Sequence, residues 1–164
     1  MRYEELLSEA TVNEITVVEQ SLESHDGLCY ENLIIIDKSI QTQAQRACVL
    51  AEELSHYYIN FGDIIDQNVV ENRKQEYKAR LLAYNKMIGL HGIINAYKNH
   101  CRNRYEIAEY LDVTESFLCE ALDFYKSKYG TFTTLDNYVI YFEPLSVLEL
   151  LSQKNIDKEM RDGL

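Results

Sequence analysis

The chain has 164 residues and a mass of 19.2 kDa, and 46% of its residues are hydrophobic, so it can form one domain with a real core. A balance of 16 basic against 27 acidic residues gives a net charge of −11, which argues against a chain-wide grip on nucleic acid. No apolar run approaches the roughly 20 residues that span a bilayer, and Met1 leads into a polar segment. We therefore expect a cytoplasmic protein.

The first third of the chain shows a short helical pattern followed by strand patterns. A helix is predicted over residues 2–9, and the β-branched run at 15–19 predicts a first strand. Extended segments follow at 28–30 and 32–37, and the Glu31-Asn32 pair predicts a hairpin between them. A short sheet is therefore expected next to the N-terminal helix.

Two long helices are predicted in the middle of the chain. Over residues 42–58, small and apolar side chains recur at three- and four-residue steps, as on one face of an α-helix. A loop is expected at 63–68, and a second helix covers about residues 72–87. The side chains with the strongest chemical signal lie on these two helices.

Shorter helices and a strand are predicted for the rest of the chain. Helices are predicted at 91–99 and 105–111, and a third begins after a Thr114 cap and ends at Gly130. An alternating strand follows at 138–142, and a last helix is predicted from residue 145 to about 154. No repeat or linker separates these elements, so we expect them to pack as one unit.

The run Glu52-Glu53-Leu54-Ser55-His56 lies on the first long helix. Glu52 and His56 are four residues apart, so their side chains share one face and could hold one metal ion. Glu53 lies beside that face, where a carboxylate could reach a water on the ion, as in the HExxH layout. The alternative is a solvated acidic face with a half-exposed histidine, and this short pattern leaves both interpretations open.

A third metal ligand would come from a neighbouring element. Glu76 is the best candidate, because it lies early on the second long helix and Ala79 and Ala83 follow on the same face. Small residues there would let the two helices approach closely. The alternative is that Glu76 forms a surface ion pair with basic neighbours such as Lys74 and Arg80.

Further segments, taken in chain order, carry a resemblance that covers nearly the whole sequence: residues 27–30 and 32–37, 48–57, 62–64, 72–76 and 79–80, and 105–114. They resemble the ImmA/IrrE family of metallo-endopeptidases, in particular its short Gram-positive phage branch. The resemblance implies an α+β fold whose zincin-like core, at residues 1–90, packs a short sheet on long helices. It also implies a helical extension like a helix-turn-helix at 91–130, packed on that core, and a strand, helix and polar tail at 131–164.

By position, the resemblance implies that Glu52, His56 and Glu76 bind the metal and that Glu53 is the general base. The family has His where this chain has Glu52, so two carboxylates and one imidazole would neutralise a divalent ion. That set lowers the Lewis acidity of the ion and makes Mn or Fe more competitive with zinc. In zincin-like folds, a strand such as residues 33–36 forms the cleft edge and pairs with the substrate.

The family's activity implies a protein partner. Its members are implicated in cleaving helix-turn-helix repressors encoded by phages and mobile elements, and we expect such a repressor as the substrate. An alternative, favoured by Glu52, is a catalytically weakened or inactive anti-repressor that acts by protein binding. A third reading is a DNA-binding module at residues 105–125, but Glu115, Glu120 and Asp123 would repel DNA. We therefore expect neither nucleic acid nor a membrane as partner.

Overall fold

The structure is a computed structural model and describes residues 2–62 and 69–150. Within these residues the fold is α+β, as predicted, and no helix is long and apolar enough to cross a membrane. The elements in chain order are α1 (Tyr3–Val12), β1 (Thr16–Gln20), β2 (Gly27–Tyr30), β3 (Leu33–Asp37), α2 (Gln43–Gly62), α3 (Val69–Met87), α4 (Gly89–Lys98), α5 (Arg104–Leu111), α6 (Glu115–Tyr129), β4 (Phe132–Leu135), β5 (Tyr138–Phe142) and β6 (Leu145–Glu149).

The first sheet has the strand order β1-β3-β2, with β1 parallel and β2 antiparallel to β3. The predicted hairpin is confirmed, and Glu31 takes the positive φ of 49° that its turn requires. The prediction that residues 33–36 form the edge of the cleft is wrong, because β3 is hydrogen-bonded on both sides. The strand β2 is at the edge, because the hairpin places it on the side of β3 opposite to β1. This edge strand packs against α2.

The part of the hydrophobic core that positions α2 lies between this sheet and the helices α1 and α2. Ile34 and Ile36 alternate with half-buried neighbours along β3 and are fully buried. Leu50 and Leu54, one helical turn apart on α2, are also fully buried in the same cluster, together with Leu6 of α1. Each such side chain contributes about 1.5–3 kcal/mol relative to an exposed one. This burial fixes which face of α2 points away from the sheet.

The helices α3 and α6 pack against each other through aromatic side chains. Tyr84 of α3 and Phe117 of α6 have ring centroids 5.0 Å apart in an edge-to-face arrangement. Tyr125 donates a hydrogen bond from its hydroxyl to Asn85 Oδ1 at 3.0 Å. The predicted cap of α6 is confirmed, because the Thr114 hydroxyl accepts a hydrogen bond from the Phe117 amide.

A second antiparallel sheet, with the order β4-β5-β6, follows α6. The prediction of a helix from residue 145 is wrong over residues 145–149, which form β6 and pair with β5. The apolar spacing there suits a helix, but these residues pair with β5 across the turn at Glu143-Pro144, and that pairing decides the conformation. Residues 151–154 of that prediction, the polar tail and the expected loop at 63–68 lie outside the described residues. The division of the chain at residues 90 and 130 stays a prediction.

Replacing Tyr125 by Phe tests the contact between α3 and α6. The ring of Tyr125 is fully buried, and its hydroxyl bonds to Asn85. Tyr125→Phe should therefore lower the free energy of unfolding by about 1 kcal/mol, measured by urea titration. Tyr129→Phe is the matched control, because that ring is 37% exposed. An equal effect of the two substitutions would contradict a stabilising hydrogen bond at Tyr125.

Candidate metal centre

The helix α2 presents three of the four predicted site residues. Its inner face is held in the core by Ala51 and Leu54, which are fully buried, and the buried Ser55 hydroxyl donates to the Ala51 carbonyl at 2.7 Å. Glu52, Glu53 and His56 lie off this face and are half-buried. Burial of one side of the helix thus places their three side chains at the boundary between core and solvent.

Two predicted ligands come into contact across α2 and α3. His56 Nε2 lies 3.4 Å from Glu76 Oε2. The other oxygen of Glu76, Oε1, accepts a hydrogen bond from Arg80 Nε at 2.7 Å. The expected close approach of the helices is confirmed by Ala79 and Ala83, which are almost fully buried. The alternative ion pair between Glu76 and Arg80 is therefore present together with the contact to His56.

Glu52 lines a polar cavity of about 380 Å³ between α2, α3 and α6. Asp26, Arg80 and Glu120 are also in its lining. Burial raises the pKa of the Glu52 carboxyl to about 7; the Arg80 charge lowers it, and the charge of Glu120 raises it further. Glu52 therefore sits among other carboxylates, and Arg80 is the cation that offsets them.

Glu53 lies against the edge strand β2. A Cβ atom added to Gly27 would come within 2.8 Å of both Cγ and Oε1 of Glu53. Burial raises the pKa of the Glu53 carboxyl to about 7, and the charges of Glu52 and Glu76 add to the shift. The absence of a side chain at Gly27 thus lets this carboxylate approach the backbone of the strand.

The donor types fit a divalent cation, whereas the positions bring only part of the set together. Among the described residues, no three His, Cys, Asp or Glu side chains are grouped so that they could hold a metal ion. The charges of Glu52, Glu53 and Glu76 nevertheless act on one another, and a cation would relieve that repulsion. Carboxylate oxygens and one imidazole suit zinc, Mn or Fe. The ligand set of Glu52, His56 and Glu76 therefore stays a prediction.

Three residues of this region were not identified as site residues from the sequence. Arg80 carried a signal, because it lies four residues after Glu76 and such pairs meet on a helix. Gly27 appeared only within a longer stretch of resemblance, and its contact with Glu53 depends on the strand order. Glu120 carried none, because α6 meets α2 and α3 only in the folded chain.

Replacing Gly27 by Ala tests the contact between β2 and Glu53. The added methyl group would lie 2.6 Å from Val49 Cγ1 and 2.8 Å from Glu53, so one of the elements must shift. We expect a loss of about 1–3 kcal/mol in the free energy of unfolding, measured by urea titration. Gly92→Ala is the control, because its methyl group would meet only the end of the Leu111 side chain at 3.1 Å. Wild-type stability of Gly27→Ala would contradict the contact.

The buried carboxyl groups predict that the metal-free protein loses stability as the pH rises. Burial is the largest cause that raises the pKa of Glu52 and Glu53 from 4.5 to about 7. Between these values the folded state binds more protons than the unfolded state, so the free energy of unfolding should fall as the pH increases through this window. Urea titration of chelator-treated protein at about pH 5 and about pH 8 measures the difference.

Substitution of the two carboxyl groups provides the control for this pH dependence. Glu52→Gln and Glu53→Gln should each reduce the difference, because the amide does not titrate. Glu23→Gln, at an exposed position, should leave it unchanged. A difference of wild-type size in the double variant of Glu52 and Glu53 would show that other groups cause it.

Comparison with known proteins identifies the family. The sequence matches the family model of the IrrE N-terminal-like domain of the M78 peptidases over residues 10–123, which is more than half of the chain. No curated protein and no solved structure gives a match. The matched part contains all four predicted site residues, and its α+β architecture fits a zincin-like core. The chain therefore belongs to the ImmA/IrrE family of metallopeptidases.

Proposed function

We propose that the protein is a metal-dependent endopeptidase that cleaves, and so inactivates, a helix-turn-helix repressor of a phage or mobile element in the cytoplasm. The observation that carries this proposal is the position of Glu53. Its carboxylate lies against an edge strand and beside the helix face that bears His56, which contacts Glu76. Membership of a metallopeptidase family supports the same chemistry.

The edge of β2 offers a place for an extended substrate. Within the described residues, β2 pairs with β3 on one side and with no strand on the other. A substrate segment could therefore add to the sheet through main-chain hydrogen bonds. Gly27 lets Glu53 reach the backbone of this strand, so a peptide bond held along β2 would lie next to the carboxylate.

The proposed roles follow from the donor atoms. Glu52, His56 and Glu76 would hold the ion, which we expect to be zinc, with Mn or Fe as alternatives. A bound divalent ion supplies Lewis acidity for the hydrolysis. Glu53 would accept the proton of the attacking water and then give it to the leaving amine. Its pKa of about 7 suits both steps near neutral pH.

Replacing Glu53 by Gln tests the role of the base. The protein is co-expressed with the repressor-like product of a neighbouring gene, and intact-mass spectrometry detects the fragments. Glu53→Gln should lower the cleavage rate by about 100-fold or more, because the amide cannot accept the proton. Glu31→Gln, at an exposed position in the β2–β3 turn, should cleave like the wild type. Cleavage by Glu53→Gln at the wild-type rate would contradict the proposal.

A second candidate is an anti-repressor that neutralises its partner by binding alone. The observation in its favour is Arg80, whose guanidinium bonds to Glu76 and acts on Glu52. A fixed positive charge there partly fulfils the electrostatic role of a metal ion. If Glu53→Gln still relieves repression fully, and the repressor stays intact in a stable complex, this second function holds and the first fails. Elemental analysis of protein purified without chelator gives an independent measure of bound metal.

A further inference from the structure

A cavity of about 1000 Å³ opens between α4, α5 and β6. It is separate from the elements that carry the candidate metal centre. One of its walls, β6, lies beyond the part of the chain that matches the family. Its volume is well above that of a small anion and falls in the range of sites that take larger ligands. Neither the proposed base nor the predicted metal ligands line it.

The rim of this cavity is basic although the chain as a whole is acidic. Lys98, His100, Arg102 and Arg104 all line it, from the end of α4 to the start of α5. The net charge of the chain is −11. The charges of Lys98, Arg102 and Arg104 on one cavity are therefore a local reversal of the surface charge, and such clusters attract anionic groups.

Part of this positive charge lacks a partner inside the protein. Within the described residues, no hydrogen bond or ion pair engages the side chains of His100 and Arg102, both of which are exposed. Lys98 lies over the ring of Tyr138, with Nζ 4.9 Å from the ring centroid. Among the described lining residues the one carboxylate is that of Glu149, which accepts a hydrogen bond from Asn137 at 3.2 Å. The guanidinium of Arg102 is thus available to a ligand.

The floor of the cavity combines apolar side chains with a strand edge. Ile93 and Ile107 are buried residues of α4 and α5 in the lining. Ser146 and Val147 of β6 both line the cavity, and neighbours in a strand point to opposite faces, so the cavity reaches the edge of the strand. Within the described residues β6 pairs only with β5, and its other edge carries no strand.

We propose that this cavity docks an acidic, extended segment of a protein partner, with apolar side chains between its carboxylates. The basic rim favours a ligand with acidic side chains, and the apolar floor favours apolar side chains between them. The free edge of β6 favours an extended backbone that can pair with the strand. Repulsion from the distant acidic surface is weak, because charges are screened over about 8 Å at physiological salt. The chain's own residues 151–164 have equal numbers of basic and acidic side chains, so charge does not favour them as occupant.

Binding of a synthetic peptide to the full chain tests this docking site. The probe is a fluorescein-labelled peptide of about ten residues in which Glu and Val alternate, long enough to lie along an edge strand. Fluorescence anisotropy should show saturable binding that weakens as salt increases. The same peptide with Lys for Glu should not bind. A version with N-methyl groups on alternate amides should bind more weakly, because it cannot pair fully with β6.

Charge-reversal variants locate the site. Arg102→Glu should weaken binding of the acidic peptide by about tenfold or more, because an attraction becomes a repulsion. Lys38→Glu is the matched control, since this exposed residue follows β3 and does not line the cavity. Glu53→Gln should bind like the wild type, so failure of the peptidase proposal would leave this result unaffected.

Any one of several binding results would overturn the docking proposal. They are equal binding of the acidic and basic peptides, wild-type affinity in Arg102→Glu, tighter binding of a short DNA duplex than of the acidic peptide, and displacement of the peptide by equimolar inorganic phosphate. Competition by a synthetic peptide of residues 151–164 at equal concentration would also overturn it, because the chain's own tail would then be the occupant.

Discussion

The close packing of α3 against α2 is the constraint on which the candidate metal centre depends. Ala79 and Ala83 allow the two helix backbones to approach, and this approach brings Glu76 to His56. The far end of α3 is fixed separately, because Lys86 forms an ion pair with Glu9 of α1 and lies over the ring of Tyr58 on α2. An α-helix turns by about 100° per residue, so a shift of one residue would carry Glu76 away from His56.

The same packing brings carboxylates close together, and their repulsion can be reduced in three ways. Glu52 and Glu53 are half-buried, Glu76 is exposed, and the three carboxylates lie close enough to repel one another. A proton, the guanidinium of Arg80 or a metal ion can each reduce this repulsion, and all three compete for the same carboxylates. Because burial holds the pKa of Glu52 and Glu53 near 7, the balance between them lies in the physiological range. Carboxyl groups whose pKa is raised by burial and by neighbouring charges mark candidate functional sites.

Local sequence patterns predicted most of the helices and strands correctly, but not which strand lies at the edge of the first sheet. The period of α2, the hairpin between β2 and β3 and the Thr114 cap depend on residues close in sequence, and all three are confirmed. The identity of the edge strand depends on where β1 joins the sheet, which no local pattern contains. The error at β6 has another cause, because its apolar spacing suits a helix although it forms a hairpin with β5, the strand just before it.

The same distinction between local sequence and tertiary packing applies to the candidate site. The candidate residues of α2 were predicted from one short pattern, and Glu76 from the small residues that follow it. Their surroundings were not, because Gly27, Arg80 and Glu120 reach the site from three different elements. The sequence of a helix predicts which side chains share one of its faces. The electrostatic environment of those side chains depends on tertiary packing.

The two surfaces proposed here carry opposite charge, and that difference bears on how one partner would use both. The region around Glu53 is rich in carboxylates, whereas the cavity beside Arg102 is rich in cations. An acidic segment is repelled from the region around Glu53 and attracted to the cavity beside Arg102. It would therefore not compete with the substrate for the edge of β2. A partner that docks through its acidic segment would therefore leave β2 free for a neutral or basic stretch. Binding at the cavity raises the effective concentration of that stretch at the cleft, provided that the chain between them can span the distance.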